Sequence, residues 1–145
     1  MEYRLLVLAL RLGLAALAAV LFGLALWFTG AVTVVQLVPG NAVAVTMNLV
    51  LGVGTGAGLA GWLFGLRLGS AHLPHMAELP AALALAIIGA WLGQVFLDDL
   101  LYRNLDAIRV KSSNEIIGAV TGANIGALLV PLIAGAWRVA HRQEP

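Results

Sequence analysis

Residues 42–66 read AVAVTMNLVLGVGTGAGLAGWLFGL, a stretch without a charged side chain and with a glycine at almost every turn. A helix rises about 1.5 Å per residue, so this stretch is long enough to cross the roughly 30 Å hydrocarbon core of a bilayer. Strands are not expected, because the apolar residues are continuous rather than alternating. The stretch therefore predicts a transmembrane helix, and its glycines predict that other helices approach it closely.

Three further uncharged stretches of similar length flank this one, at about residues 12–38, 79–97 and 116–137. We therefore expect an all-α membrane protein with four transmembrane helices, forming one integral membrane domain over residues 1–145. The first stretch is expected to be an uncleaved span, because no small-residue cleavage site follows it at the usual place.

The composition excludes several classes of protein. Of the 145 residues, 61% are hydrophobic and 10% are charged, whereas soluble domains carry about 25% charged residues. These percentages exclude a soluble enzyme. The net charge of +1 provides no basic face, so we expect no nucleic-acid partner. The chain has no cysteine, which excludes disulfides, thiolate catalysis and cysteine-bound metal centres.

The distribution of arginine and lysine predicts the orientation in the membrane. The two termini and the connection between the second and third spans carry five basic residues, and the opposite side carries three. Because cytoplasmic loops are richer in basic residues, we expect both termini in the cytoplasm, and we expect a bacterial inner membrane.

Glycine is the most strongly patterned residue, and it recurs every fourth position in several spans. Lipid provides no hydrophobic drive for helix association, so small residues at this spacing favour close backbone packing. The predicted packing positions are Gly52, Gly61, Gly65, Gly69, Gly89, Gly93, Gly118, Gly122 and Gly126. These positions serve either the four helices of one chain or the helices of a partner.

Four amide side chains fall within the predicted spans: Gln36, Asn48, Gln94 and Asn124. All four lie in the outer half of the expected bilayer, so we expect at least two of them to meet. One interpretation is hydrogen bonding between helices. The other is a small polar cavity for a lipid headgroup, an ion or part of a cofactor.

Two polar segments lie outside the spans. Apolar residues recur on one face between Leu97 and Ile108, which predicts an amphipathic connector between the third and fourth spans. Its charged residues form either a surface resting on headgroups or an outer docking surface: Asp98, Asp99, Arg103, Asp106, Arg109 and Lys111. His72 and His75 are weak candidates for a metal site, because Pro74 between them interrupts a helix. We expect no metal and no cofactor.

Residues 88–93 (IGAWLG) and 117–122 (IGAVTG) resemble the small glycine-rich bacterial membrane proteins called transglycosylase-associated, and residues 58–64 (GLAGWLF) are similar in character. The resemblance implies a small helical membrane protein, and it carries no catalytic residue onto this sequence.

We expect a non-catalytic accessory or assembly subunit of a larger membrane complex, for example an energy-transducing one. Its expected partners are membrane lipids and either other subunits or further copies of itself. A bound lipid is compatible with this expectation. One alternative is a small oligomeric channel or transporter lined by Asn48, Gln94, Thr121 and Asn124. Another alternative is an envelope-stress protein, as the family resemblance implies. An enzyme is not expected.

Overall fold

The computed structural model describes residues 2–64, 76, 78–97, 99–100 and 111–141. Over these residues the chain is helical and contains no strand. The elements are α1 (Glu2–Leu37), α2 (Ala42–Phe64), α3 (Glu78–Leu92), a π-helical turn (Gly93–Leu97) and α4 (Lys111–His141). Between α1 and α2 the chain reverses at Gly40, whose positive φ of 79° suits a residue without a Cβ atom.

Three helical stretches are long and apolar enough to cross a membrane: Ala9–Leu37, Ala42–Phe64 and Glu78–Leu97. Their bounds lie within three residues of those predicted from the sequence. The fourth predicted span falls on α4, whose apolar part, Asn114–Val130, is shorter. The fold is therefore that of a helical membrane protein with three apolar helices of membrane-spanning length and a fourth, shorter apolar helix.

Helix α2 lies in the middle of the bundle, because its glycines permit close approach of other helices on two sides. A Cβ atom built on Gly52 would lie 2.6 Å from the Cα atom of Trp27 in α1. A Cβ atom built on Gly54 would lie 2.6 Å from the Cα atom of Ile87 in α3. Two residues of helix turn through about 200°, so these contacts lie on opposite sides of α2. Farther along, a Cβ atom built on Gly61 would lie 2.7 Å from the carbonyl oxygen of Ala127 in α4.

Helices α3 and α4 approach each other closely through reciprocal pairs of glycines. A Cβ atom on Gly89 would meet the carbonyl oxygen of Gly122, and one on Gly122 would meet that of Gly89. Gly93 and Gly118 face each other in the same reciprocal way. Each step of four residues along α4 is thus matched by a step of four back along α3, so the two helices run antiparallel.

Alanine fills the space around these glycines. The wholly buried alanines of this helix pair are Ala82, Ala86 and Ala90 on α3, with Ala119, Ala123 and Ala127 on α4. Among the described residues, Val53 and Asn114 are the largest side chains that are less than 2% exposed. Leu49, Val50 and Val53 of α2 join this core, and many of the other large aliphatic and aromatic side chains are exposed on the outer surface, where lipid can cover them.

We predict that Gly122→Ala destabilises the bundle by about 1–3 kcal/mol, the usual cost of overpacking a filled core. The new methyl group would meet the backbone carbonyl of Gly89, which cannot rotate aside as a flexible side chain can. Unfolding in mixed detergent micelles measures the loss.

Gly13→Ala is the matched control for this substitution. Nothing lies within 4 Å of a Cβ atom at Gly13, and alanine is the better helix former. We expect this variant to be at least as stable as the natural chain. Equal stability of the Gly122 and Gly13 variants would contradict the close approach of α3 and α4.

Candidate functional site

The amide of Asn48 links two helices. Its Nδ2 atom donates a hydrogen bond of 3.1 Å to the backbone carbonyl of Trp27 in α1. Its Oδ1 atom occupies the place that a Cβ atom on Gly30 would need. Gly30 therefore provides the space for the Asn48 amide, although sequence reasoning did not single it out. The available signal was the spacing of seven residues between Gly23 and Gly30, which places both on one face of α1.

Gln94 lies in the π-helical turn and is only 8% exposed. Its Oε1 atom is buried and receives no hydrogen bond from the described part of the chain. An unpaired buried polar group costs about 1–3 kcal/mol, so the position of this oxygen is unfavourable. A π-helical turn holds one residue more than an α-helical turn and often accompanies functional positions.

Asn124 and Gln36 behave differently from Asn48. Asn124 donates through Nδ2 to the carbonyl oxygen of Val120 in its own helix at 3.1 Å, and its Oδ1 atom is buried without a donor from the described residues. Gln36 is exposed at the end of α1. No hydrogen bond joins two of the four predicted amides. Asn48 and Asn124 each donate to a backbone carbonyl instead.

The register of the helices places three polar residues at one end of the bundle. Gly54 lies opposite Ile87, so antiparallel packing brings Asn48 to the level of the π-helical turn that contains Gln94. Asn114 is completely buried at the start of α4, on the same side of the bundle. Sequence reasoning did not select Asn114 as a site residue, because it belongs to the polar run SSNE, which is typical of the start of a helix.

An apolar groove runs along the outer surface where α3 meets α4. Its volume is about 350 Å³. The floor consists of the glycines that hold the two helices together, Gly89, Gly93, Gly122 and Gly126, and bulky aliphatic and aromatic side chains form the sides. The groove extends from the level of Leu85 to the π-helical turn.

Several predicted site residues lie outside the described residues: His72, His75, Gly65, Gly69, Asp98, Arg103, Asp106 and Arg109. The amphipathic connector therefore stays a prediction. Asp99 is helical and exposed, and Lys111 is the first residue of α4. The described residues include no group of three or more histidine, aspartate or glutamate side chains arranged to hold a metal ion.

No protein-family model, curated protein or solved structure matches this chain. Any assignment of function therefore depends on the geometry of the chain itself, and the resemblance to the transglycosylase-associated proteins stays a prediction.

We predict that Asn48→Ala and Gly30→Ala each cost about 0.6–2 kcal/mol, the range for a hydrogen bond between membrane helices. The first substitution removes the amide, and the second displaces it from the Trp27 carbonyl. Since both variants lose the same bond, the double variant should lose little more than either single variant.

The same unfolding measurement on Gln36→Ala provides a control, because that amide is exposed and makes no hydrogen bond that the substitution would remove. Strictly additive losses at Gly30 and Asn48 would show that the two residues act independently, against the observed contact.

Proposed function

We propose that the chain is a non-catalytic membrane protein that acts as an accessory or assembly subunit of a larger membrane complex. The observation that carries this proposal is the use made of polar groups within the helices. Asn48 donates a hydrogen bond to the Trp27 carbonyl of a neighbouring helix, and Asn124 donates one to the Val120 carbonyl of its own helix. Both amide nitrogens are thus bonded to backbone carbonyls. A bundle built in this way is suited to holding neighbouring helices in place.

The surface of α1 is the part of the bundle best suited to a partner. Only 17% of its most apolar stretch is buried, compared with 39% for α2. Gln36 lies on this surface beside Val32 and Val35 and is exposed. An amide on an otherwise apolar helix gains most from a partner that supplies a hydrogen bond.

The two threonines of α1 need no such partner. Thr29 donates to the carbonyl of Ala25 at 2.8 Å, and Thr33 donates to the carbonyl of Thr29 at 3.2 Å. These hydroxyl groups are satisfied within the helix and can face lipid. Gln36 is therefore the polar group on this surface that favours a protein neighbour.

The oligomeric pore is a weaker proposal. A pore between copies needs its polar residues on the outer surface of each copy. Thr121 is exposed, but Gln94 is buried and Asn48 is bonded to α1. The envelope-stress alternative depends on the family resemblance alone, and induction of the protein under envelope stress would support it.

Gentle extraction of the tagged chain, followed by native mass spectrometry, tests the subunit proposal. We expect the 15.1 kDa chain to bring a stoichiometric set of other membrane proteins with it. A homo-oligomer without other proteins would overturn the proposal, and flux measurements in liposomes would then test the pore.

The proposed topology has four spans with both termini in the cytoplasm of a bacterial inner membrane. Support for the fourth crossing comes from α4, whose 31 residues extend over about 46 Å and pack antiparallel to α3. Support for the orientation comes from the excess of basic residues on the side of the termini.

Because the chain has no cysteine, single cysteines report this topology directly. We predict that a membrane-impermeant maleimide labels Asn41→Cys in intact cells and labels His141→Cys only after lysis. Labelling of both sites in intact cells would indicate an odd number of spans. Labelling of His141→Cys alone would indicate the inverted orientation.

A further inference from the structure

Two polar side chains are buried in the part of the bundle that the structure describes, and they are the amides of Gln94 and Asn114. Gln94 is 8% exposed, and its Oε1 atom receives no hydrogen bond from the described residues. Buried polar groups in folded proteins are almost always hydrogen-bonded, either to a protein group or to an ordered water molecule. The Oε1 atom of Gln94 therefore calls for a donor.

Asn114 is close enough to Gln94 to share such a donor. A Cβ atom built on Gly118 would lie 3.3 Å from the Cα atom of Gln94. Asn114 is completely buried and precedes Gly118 by four residues, so their Cβ positions lie about 6 Å apart on one face of α4. The Cβ atom of Asn114 is then within about 9 Å of the Cα atom of Gln94. Two amide side chains with one small molecule between them can span that distance.

The chemistry of this pair favours a small neutral donor. The residues buried around it are mainly alanines and glycines, and the described residues include no buried charged side chain. A cation bound here would have no buried counter-charge, and an uncompensated charge in an apolar core is very costly. Water both donates and accepts hydrogen bonds, so it can bond to either end of an amide.

The position of Gln94 along its helix gives water access. The apolar stretch that contains Gln94 ends at Leu97, only three residues or about 4.5 Å farther along the helix axis. Gln94 also lies in the π-helical turn. Such turns interrupt the regular ladder of backbone hydrogen bonds, as inserted water also does.

We propose that Gln94 and Asn114 form a binding site for one internal water molecule. The water donates a hydrogen bond to Oε1 of Gln94 and makes its second bond to the side-chain amide of Asn114. It thereby links the π-helical turn to the first turn of α4. This inference goes beyond the proposed subunit function, and its test requires no protein partner.

Water-edited solid-state NMR of the isotope-labelled full chain in phosphatidylcholine bilayers tests the proposal, because it measures how fast magnetisation passes from water protons to each side chain. Gln36, exposed at the end of α1, is the hydrated reference, and Val53, 1% exposed, is the dry reference. In the natural chain we expect the transfer to Gln94 to be at least threefold faster than the transfer to Val53.

Two glutamine variants provide a matched comparison. Gln94→Met keeps roughly the length of the side chain and removes the acceptor oxygen. We expect this variant to lower the transfer from water to the Asn114 amide at least threefold. Gln36→Met makes the same chemical change at an exposed position, and we expect it to leave the transfer to Asn114 unchanged.

A transfer to Gln94 no faster than that to Val53 in the natural chain would show a dry amide bonded within the protein, and it would overturn the proposal whatever the folding of the variants. Unchanged transfer to Asn114 in a folded Gln94→Met variant would also overturn it, because the two amides would then not share the water. Resonances of Gln94 that shift when N-methylglucamine replaces sodium would identify a bound cation instead. None of these results depends on whether other membrane proteins co-purify with the chain.

Discussion

The contact between the backbones of α3 and α4 is the interaction on which the remainder of the structure depends. In a bilayer, apolar side chains gain little by leaving lipid for protein, so helices associate through close van der Waals packing. Gly89 against Gly122 and Gly93 against Gly118 bring two backbones into direct contact. Large side chains cannot lie at these glycine contacts, and many of them, such as Ile88, Trp91 and Ile125, are exposed on the outer surface instead.

Much of this architecture could be predicted from the sequence, because membrane spans depend on length and composition. The bounds of three apolar helices agree within a few residues, and the spacing by four in Gly118, Gly122 and Gly126 marks the helix face that meets α3. It was harder to predict from the sequence which neighbouring helix each face of α2 contacts. In α2, Gly52 and Gly54 belong to one run of glycines in the sequence but serve contacts on opposite sides of the helix.

The polar positions were harder to predict, because an amide bonds to whichever acceptor the packing brings close. Asn48 takes the Trp27 carbonyl only because Gly30 leaves room for its side chain. The burial of Gln94 depends on the π-helical turn at residues 93–97, and nothing in the sequence GQVFL signals such a turn. Local propensity indicates helices well, but it does not indicate which carbonyls of a neighbouring helix come within reach.

A repeat of small residues with a period of four leaves the relative position of two helices ambiguous. Sliding α3 past α4 by one turn, about 5.4 Å, would set Gly93 against Gly122 and Gly89 against Gly126, again glycine against glycine. The glycine repeat alone therefore does not fix the observed position, and the residues beyond the repeat must contribute to it. A glycine repeat thus permits the close approach of two helices, but it leaves their relative position along the axis to the residues at its ends.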